Sequence, residues 1–217
     1  MPSAREIYER DALGVVSVIV DGENQTRSPS ELFKAEEAPG GPITGSGFEI
    51  DGTGTILTDW HVVMEASSVS VRLQNGKTVT ARVVGKDPAY DLALLRIPTG
   101  GLTLHPLPLG DSDRVHVGDG VYTISSPFGL EGSLTTGVIS ALQRRITAPS
   151  GVAINGVLQT DAPINAGSSG GPLLNSAGEV VGVAAQIETR GGGGDVGVGF
   201  VIPIDAVKSQ LRALGKR

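Results

Sequence analysis

Cysteine is missing from all 217 residues, which removes disulfides, thiolate metal sites and cysteine catalysis from consideration. Basic stretches are missing too. The net charge is −6, and the Lys216-Arg217 tail is too short to change its character, which disfavours a nucleic-acid or anionic-membrane partner. No apolar segment approaches the ~18 residues of a membrane span. Met1-Pro2-Ser3 leads into no signal-peptide core, so the protein is expected to be cytoplasmic or to have lost a targeting segment. Histidine is scarce: only His61, His105 and His116 are present, with no His-Glu-x-x-His pairing, which disfavours a zinc hydrolase.

What the chain has instead is glycine, 32 residues of it, and a 39% hydrophobic content sufficient for a sizeable core. Ser3 and Glu6 have capping-box spacing, and Ala4, Ile7 and Ala12 supply an apolar face, predicting a helix over about 3–12. Residues 22–45 read as a long loop. Strands are expected at 15–20, 48–50, 55–58, 69–73, 79–83 and 92–97, with hairpin turns at Asp51-Gly52-Thr53-Gly54 and Asn75-Gly76. Residues 98–113, rich in Pro, Gly and Asp, read as a crossing between two halves. Further strands are expected at 121–124, 134–142, 156–160, 172–174, 180–186 and 198–202. Ile204, Val207, Leu211 and Leu214 mark a closing amphipathic helix. Many short strands with Gly-rich turns, and helices only at the ends, predict an all-β protein of barrels or sandwiches.

The stretch TDAPINAGSSGGPLL, residues 160–174, is where chemistry enters. A Gly-Ser cluster is ordinarily a surface turn. It is also what a nucleophile on a tight bend requires, because glycine lets backbone N–H groups converge on a developing oxyanion. With Ser169 as nucleophile, Gly167 and Ser169 can supply that pair. Ser168 is the weaker nucleophile, since Ala166 would then stand where Gly167 does. His61, in ILTDWHVV, reads as a histidine at a strand end. Asp91 heads the apolar run DLALLRI, where an acid is costly unless paired. His61, Asp91 and Ser169 occur in the order His, Asp, Ser, which is that of chymotrypsin-type enzymes and not of subtilisins or α/β-hydrolases. An α/β-hydrolase esterase also fails on the absence of βαβ alternation.

ILTDWHVV, DPAYDLALLRI, PFGLEGSLTTGVISA and QTDAPINAGSSGGPLLN together resemble the HtrA/Deg family of serine proteases, over about residues 5–214. The resemblance implies two perpendicular six-stranded antiparallel β-barrels of the chymotrypsin type, with short N- and C-terminal helices. Residues 1–108 would hold the N-terminal helix and first barrel, and 109–217 the second barrel and C-terminal helix, together one protease domain. It implies His61, Asp91 and Ser169 as catalytic residues, an oxyanion hole of Gly167, Ser168 and Ser169, and no metal or cofactor. Pro163 falls at the pocket base, six before the nucleophile, with Ile164, Ala185, Gln186 and Ile187 lining the pocket for small or medium aliphatic side chains. Asp161 is expected to be a structural or capping acid. Ser168 stands where the family usually has Asn and trypsin-type zymogens have Asp, so activation by a cut N-terminus has no acceptor. Loops at about 126–133, 143–155, 163–168 and 186–197 would order the site instead. Expected partners are unfolded protein or peptide substrates and further copies of the chain, as a trimer. The compartment implied is extracytoplasmic, with a possible membrane tether in the full-length protein. Family members usually continue into PDZ domains. A non-catalytic chaperone or peptide-binding module on the same fold is the alternative, and the presence of all three catalytic residue types favours the enzyme.

Overall fold

The computed structural model describes residues 2–22, 43–126, 132–148, 151–187 and 196–214. Helix α1, Ala4–Asp11, begins where its cap dictates: the Ser3 hydroxyl accepts from the Glu6 N–H, and the Glu6 carboxylate accepts from the Ser3 N–H. Ile7 is fully buried, and a 3₁₀ turn at Ala12–Gly14 delivers the chain into the first strand. Arg10 grips Asp11 through two hydrogen bonds and donates a third to the Ala177 carbonyl, so this helix is tied to the far half of the chain.

Strands β1 (Val15–Gly22), β2 (Ile43–Glu49), β3 (Thr55–Asp59), β4 (Ala66–Arg72), β5 (Thr78–Asp87) and β6 (Leu92–Arg96) form a closed antiparallel barrel in the order β1-β2-β3-β6-β5-β4. Strands β7 (Gly120–Ser125), β8 (Ser133–Thr147), β9 (Ala153–Thr160), β10 (Pro172–Leu174), β11 (Val180–Ile187) and β12 (Gly199–Pro203) follow in the order β10-β11-β12-β9-β8-β7, with β10 pairing back onto β7 to close the ring. Helix α3, Ile204–Leu214, ends the described chain. Among the described residues, no helix is long and apolar enough to cross a membrane.

Strand alternation sorts the apolar side chains into three clusters. Val16, Val18, Ile56, Val71 and Leu95 fill the first ring, and Val121, Ile139, Leu158, Val181 and Val201 fill the second. Between the two lies a third cluster, in which Val15, Phe48, Leu57 and Leu92 meet Ile124, Leu174, Val183 and Ile202. Ile7 of α1 and Val207 of α3 close its ends. Each such side chain contributes roughly 1.5–3 kcal/mol when fully buried. The halves are therefore welded by the same force that fills each of them.

Two elements differ from the sequence pattern. Val83, expected on the inner face of its strand, is 41% exposed because the β5–β6 register slips between Val83 and Gly85. Strand β8 runs five residues past Leu142, carrying Gln143 and two arginines through a series of bulges, with Gln143 at φ 54°. Charge at that end reads as loop, yet the backbone stays paired with β9. Residues 98–113 do cross between the halves, and they are anchored: Leu107 N–H donates to Glu49 O, and Leu109 bridges to Val180. The loop expected over 22–45 and the Gly191–Gly194 run lie largely or wholly outside the described residues.

Glu49 bears on that anchor. It is 1% exposed, its Oε2 accepts the His105 N–H, and its Oε1 has no hydrogen-bond partner. Burial pushes its carboxyl up to about 6, against the opposing pull of the His105 N–H. A folded-state value above the unfolded one means the folded protein holds an extra proton. The stability this proton gives is full below about 4.5 and lost as pH rises through 6. Glu49→Gln should therefore gain on the wild type by roughly 2 kcal/mol between pH 4 and pH 7, as read from urea unfolding midpoints.

Candidate active site

Strand β3 is buried at every position and ends on Asp59, whereupon the chain turns into a single helical turn, α2 (Trp60–Val63). His61 is thus carried on that turn and not on the strand end itself, 7% exposed, with Val62 and Val63 buried behind it. Asp91 precedes β6, the partner of β3 in the barrel. Its backbone lies in the left-handed region at φ 55°, which aspartate tolerates better than most residues. That turn aims its fully buried carboxylate back at α2. Oδ1 accepts the His61 backbone N–H at 2.8 Å, and Oδ2 lies 2.7 Å from His61 Nδ1. The Asp91 carbonyl also accepts the Trp60 N–H at 2.9 Å. A desolvated acid is tolerable only with such partners, and here they also fix the imidazole with Nδ1 toward the acid.

Ser169 comes from the other ring, on the bend before β10. Its carbonyl accepts the Ser46 N–H at 2.8 Å, which docks the bend onto β2. Gly45, one residue earlier, has no Cβ, and one built there would meet both the Val62 side chain and the Ser169 carbonyl. The serine and the histidine turn are therefore neighbours across Gly45. Gly170 sits at φ 83°, and a Cβ built there would meet the Ser46 carbonyl, the Thr58 hydroxyl and the Asp59 N–H. Only glycine fits there. The Ser169 hydroxyl is half-buried and makes no hydrogen bond among the described residues. Bonds of this kind are often long without substrate and tighten when it binds.

Around the serine the N–H groups divide cleanly. The Ser168 N–H donates to Asn165 O, and the Gly170 N–H donates to Ala184 O. Those of Gly167 and Ser169 have no partner among the described residues. This corrects the expected donor set: Ser168 drops out because its N–H is spent inside the bend. Its side chain is likewise turned inward, 1% exposed, with Oγ 3.0 Å from Ser125 Oγ. Gly167, at φ 89°, has its carbonyl held by the Ser46 hydroxyl at 2.7 Å. Ser46 is a support that the sequence analysis does not single out, although glycines flank it at 45 and 47.

Of the expected pocket residues, Pro163 is exposed, and its carbonyl accepts from Thr135 Oγ1. Ile164 is 2% exposed and packs on Gly199; Ala185 is 2% exposed in the cluster between the rings. The side chains of Gln186 and Ile187 lie outside the described residues, as do 127–131, 149–150 and 188–195 of the expected ordering loops. Asp161 ties down the Val138 N–H at 2.7 Å, as a structural acid does. His105 joins the linker to Glu49 through its backbone, while His116 is a surface side chain 4.0 Å from Asp119.

One residue of the neighbourhood is missing from the sequence reading. Asp59 is fully buried, its Oδ2 is 3.9 Å from His61 Nδ1, and neither of its oxygens has a hydrogen-bond partner among the described residues. Burial first, and the charge of Asp91 second, push its carboxyl well above the ordinary range; the nearby Gly170 N–H opposes this only weakly. An acid inside the apolar segment ILTDWHVV is the signal that could have found it.

Residues 45–183 match the model of the trypsin-like peptidase domain, and the chain belongs to that family. Within it, the relatives are of the HtrA/Deg type. The chain is 47% identical over 184 residues to the chloroplastic Protease Do-like 1 of Arabidopsis thaliana, covering 83% of this chain and 41% of that one. It is 41% identical over 218 residues to a probable periplasmic serine endoprotease, DegP-like, of Pseudomonas fluorescens, covering 99% of this chain and 41% of the relative. The chain thus spans about two fifths of the length of these curated relatives. Among solved structures, the HtrA-type protease AlgW with a tripeptide superposes with a TM-score of 0.84 at 30% identity, covering 98% of this chain and 64% of that one. AlgW with a decapeptide gives 0.81 at 29%, covering 100% and 68%.

The crowding at Gly170 makes a direct prediction. Gly170→Ala should cost about 2 kcal/mol or more, from left-handed strain and overlap with β2 and β3. It should also dislodge Ser169, seen as a lower unfolding midpoint together with slower labelling by a fluorophosphonate.

Proposed function

We propose that the chain is the protease domain of an HtrA/Deg-type serine endopeptidase, cleaving unfolded or misfolded proteins without ATP through an acyl-enzyme on Ser169. The observation that carries this reading is the unspent pair of N–H groups at Gly167 and Ser169, flanking a hydroxyl beside a buried His61–Asp91 pair. Ser169 Oγ attacks the peptide carbonyl while His61 takes its proton at Nε2. The Nδ1–H stays bonded to Asp91, which orients the ring and stabilises the imidazolium. Oxyanion charge gathers at the Gly167 and Ser169 N–H groups. Collapse breaks the C–N bond as His61 returns the proton to the leaving amine, and water then repeats the sequence on the acyl-enzyme.

In this reading residues 1–108 and 109–217 are the two halves of one protease domain, with the site where they meet. Pro163 in place of an acid argues against trypsin-like specificity, and a lining of Ile164, Ala185, Gln186 and Ile187 would favour small or medium aliphatic side chains. The names of the periplasmic and chloroplastic relatives favour an extracytoplasmic or organellar compartment. The competing reading, a peptide-binding scaffold, needs no reactive serine.

A fluorophosphonate separates the two readings. It should label Ser169 in the wild type and in Ser168→Ala, and Ser169→Ala should abolish both labelling and cleavage of an unfolded protein while keeping the unfolding midpoint. Undiminished cleavage by Ser169→Ala would refute the assignment. The base must be unprotonated to take the Ser169 proton, so kcat/KM should rise between pH 5 and pH 8, and a flat profile would count against His61.

A further inference from the structure

His61 has two acids beside it, and the mechanism above uses one. Asp91 is bonded to Nδ1 and to the backbone N–H. Asp59 stands 3.9 Å from the same Nδ1, as buried as Asp91 and, among the described residues, with no hydrogen-bond partner for either oxygen. A carboxyl oxygen of each acid and a ring nitrogen of His61 all lie within 4.8 Å of one another.

We propose that Asp59 is a positioning residue in reserve for Asp91: the two buried acids hold one negative charge between them beside His61, and Asp59 carries it whenever Asp91 cannot. The inference rests on the reading of His61 as the base. Two like charges this close in a water-free site cannot both persist cheaply, so the proton settles on the acid with the poorer hydrogen bonds. In the resting site that acid is Asp59, since both His61 donors point at Asp91. The groups facing Asp59 are few. From α2 it meets His61, from the turn before β6 it meets Asp91, and from the serine bend it meets only the Gly170 N–H. Lys86 of β5, the basic residue nearest α2 among the described contacts, lies with its ammonium 4.8 Å from the centre of the Trp60 ring. Among the described residues the ion pair that Asp59 makes is with His61, so no other cation is at hand to hold a second negative charge. If Asp91 loses its charge, the repulsion that keeps Asp59 neutral goes with it. The carboxylate then forms at Asp59, within Coulomb reach of Nδ1, and opposes the positive charge that His61 acquires during proton transfer. No bond other than the O–H of Asp59 is broken, and its proton leaves to solvent.

The test compares wild type, Asp59→Asn, Asp91→Asn and the double variant, measuring kcat/KM on an unfolded protein from pH 5 to 9. Removing Asp59 should cost about tenfold more in the Asp91→Asn background than in the wild-type background. The Asp91→Asn profile should also show an ionisation that the double variant lacks. An equal cost in both backgrounds, or identical profiles for Asp91→Asn and the double variant, would overturn the inference and leave the protease reading standing. Undiminished cleavage by Ser169→Ala would instead overturn the protease reading itself. Denaturant unfolding checks the premise separately. Because the Asp59 carboxyl is raised in the folded state, its proton stabilises the fold below about 4 and that stability drains away as pH climbs. Asp59→Asn, and the non-ionisable Asp59→Leu should the first fold poorly, must therefore gain on the wild type as pH rises from 4 to 7. A constant gap would show that Asp59 is already charged and sink the proposal.

Discussion

A carboxylate removed from water must be met by donors or it will not stay charged, and Asp91 is met by two from one residue, the ring and the backbone of His61. Much of the site follows from that constraint. The left-handed turn at Asp91 points the acid toward α2, the tight turn after β3 presents the His61 N–H, and the β3–β6 pairing holds the two turns side by side. Neither turn would be stable in an isolated peptide; the closed ring holds both in register.

The second half supplies the serine, and what fixes it is a set of small contacts through β2. Ser46 uses every polar group it has: its N–H holds the Ser169 carbonyl, its hydroxyl holds the Gly167 carbonyl and accepts from the Ser126 N–H, and its own carbonyl accepts from Thr58. Ser126 in turn lies 2.7 Å, oxygen to oxygen, from Ser17 of β1. A run of buried hydroxyls thus crosses from one ring to the other directly beneath the serine bend. Buried hydroxyls are costly unless satisfied. This run is satisfied only when both halves are docked, so site geometry and inter-ring packing are one requirement.

Pattern reading located the strands because their side chains obey a period of two wherever one face is dry. It faltered where the backbone breaks that period. The slip at Val83 and the bulges of β8 are register events, set by what the partner strand demands, and they leave no local trace in composition. At the site, His61, Asp91 and Ser169 could be singled out because their residue types are improbable in their surroundings: an acid opening an apolar run, a serine among glycines. Asp59 shares that improbability but stands two residues from a histidine that drew the attention first. Ser46 also stands between glycines, at 45 and 47, but its role lies in what approaches it from residues 126 and 167–169, which no local pattern shows.

The sequence by itself determined the alternation that makes β-rings, the capping of α1, the glycine at 170 and the order in which histidine, acid and serine occur, because each is written in neighbouring residues. Only the tertiary structure decided which serine turns inward, which N–H groups are left unspent, and that two acids crowd one imidazole. The bonds that hold the bend and the acids in place join residues as far as 121 positions apart in the chain, and such contacts exist only once both rings have closed and packed together.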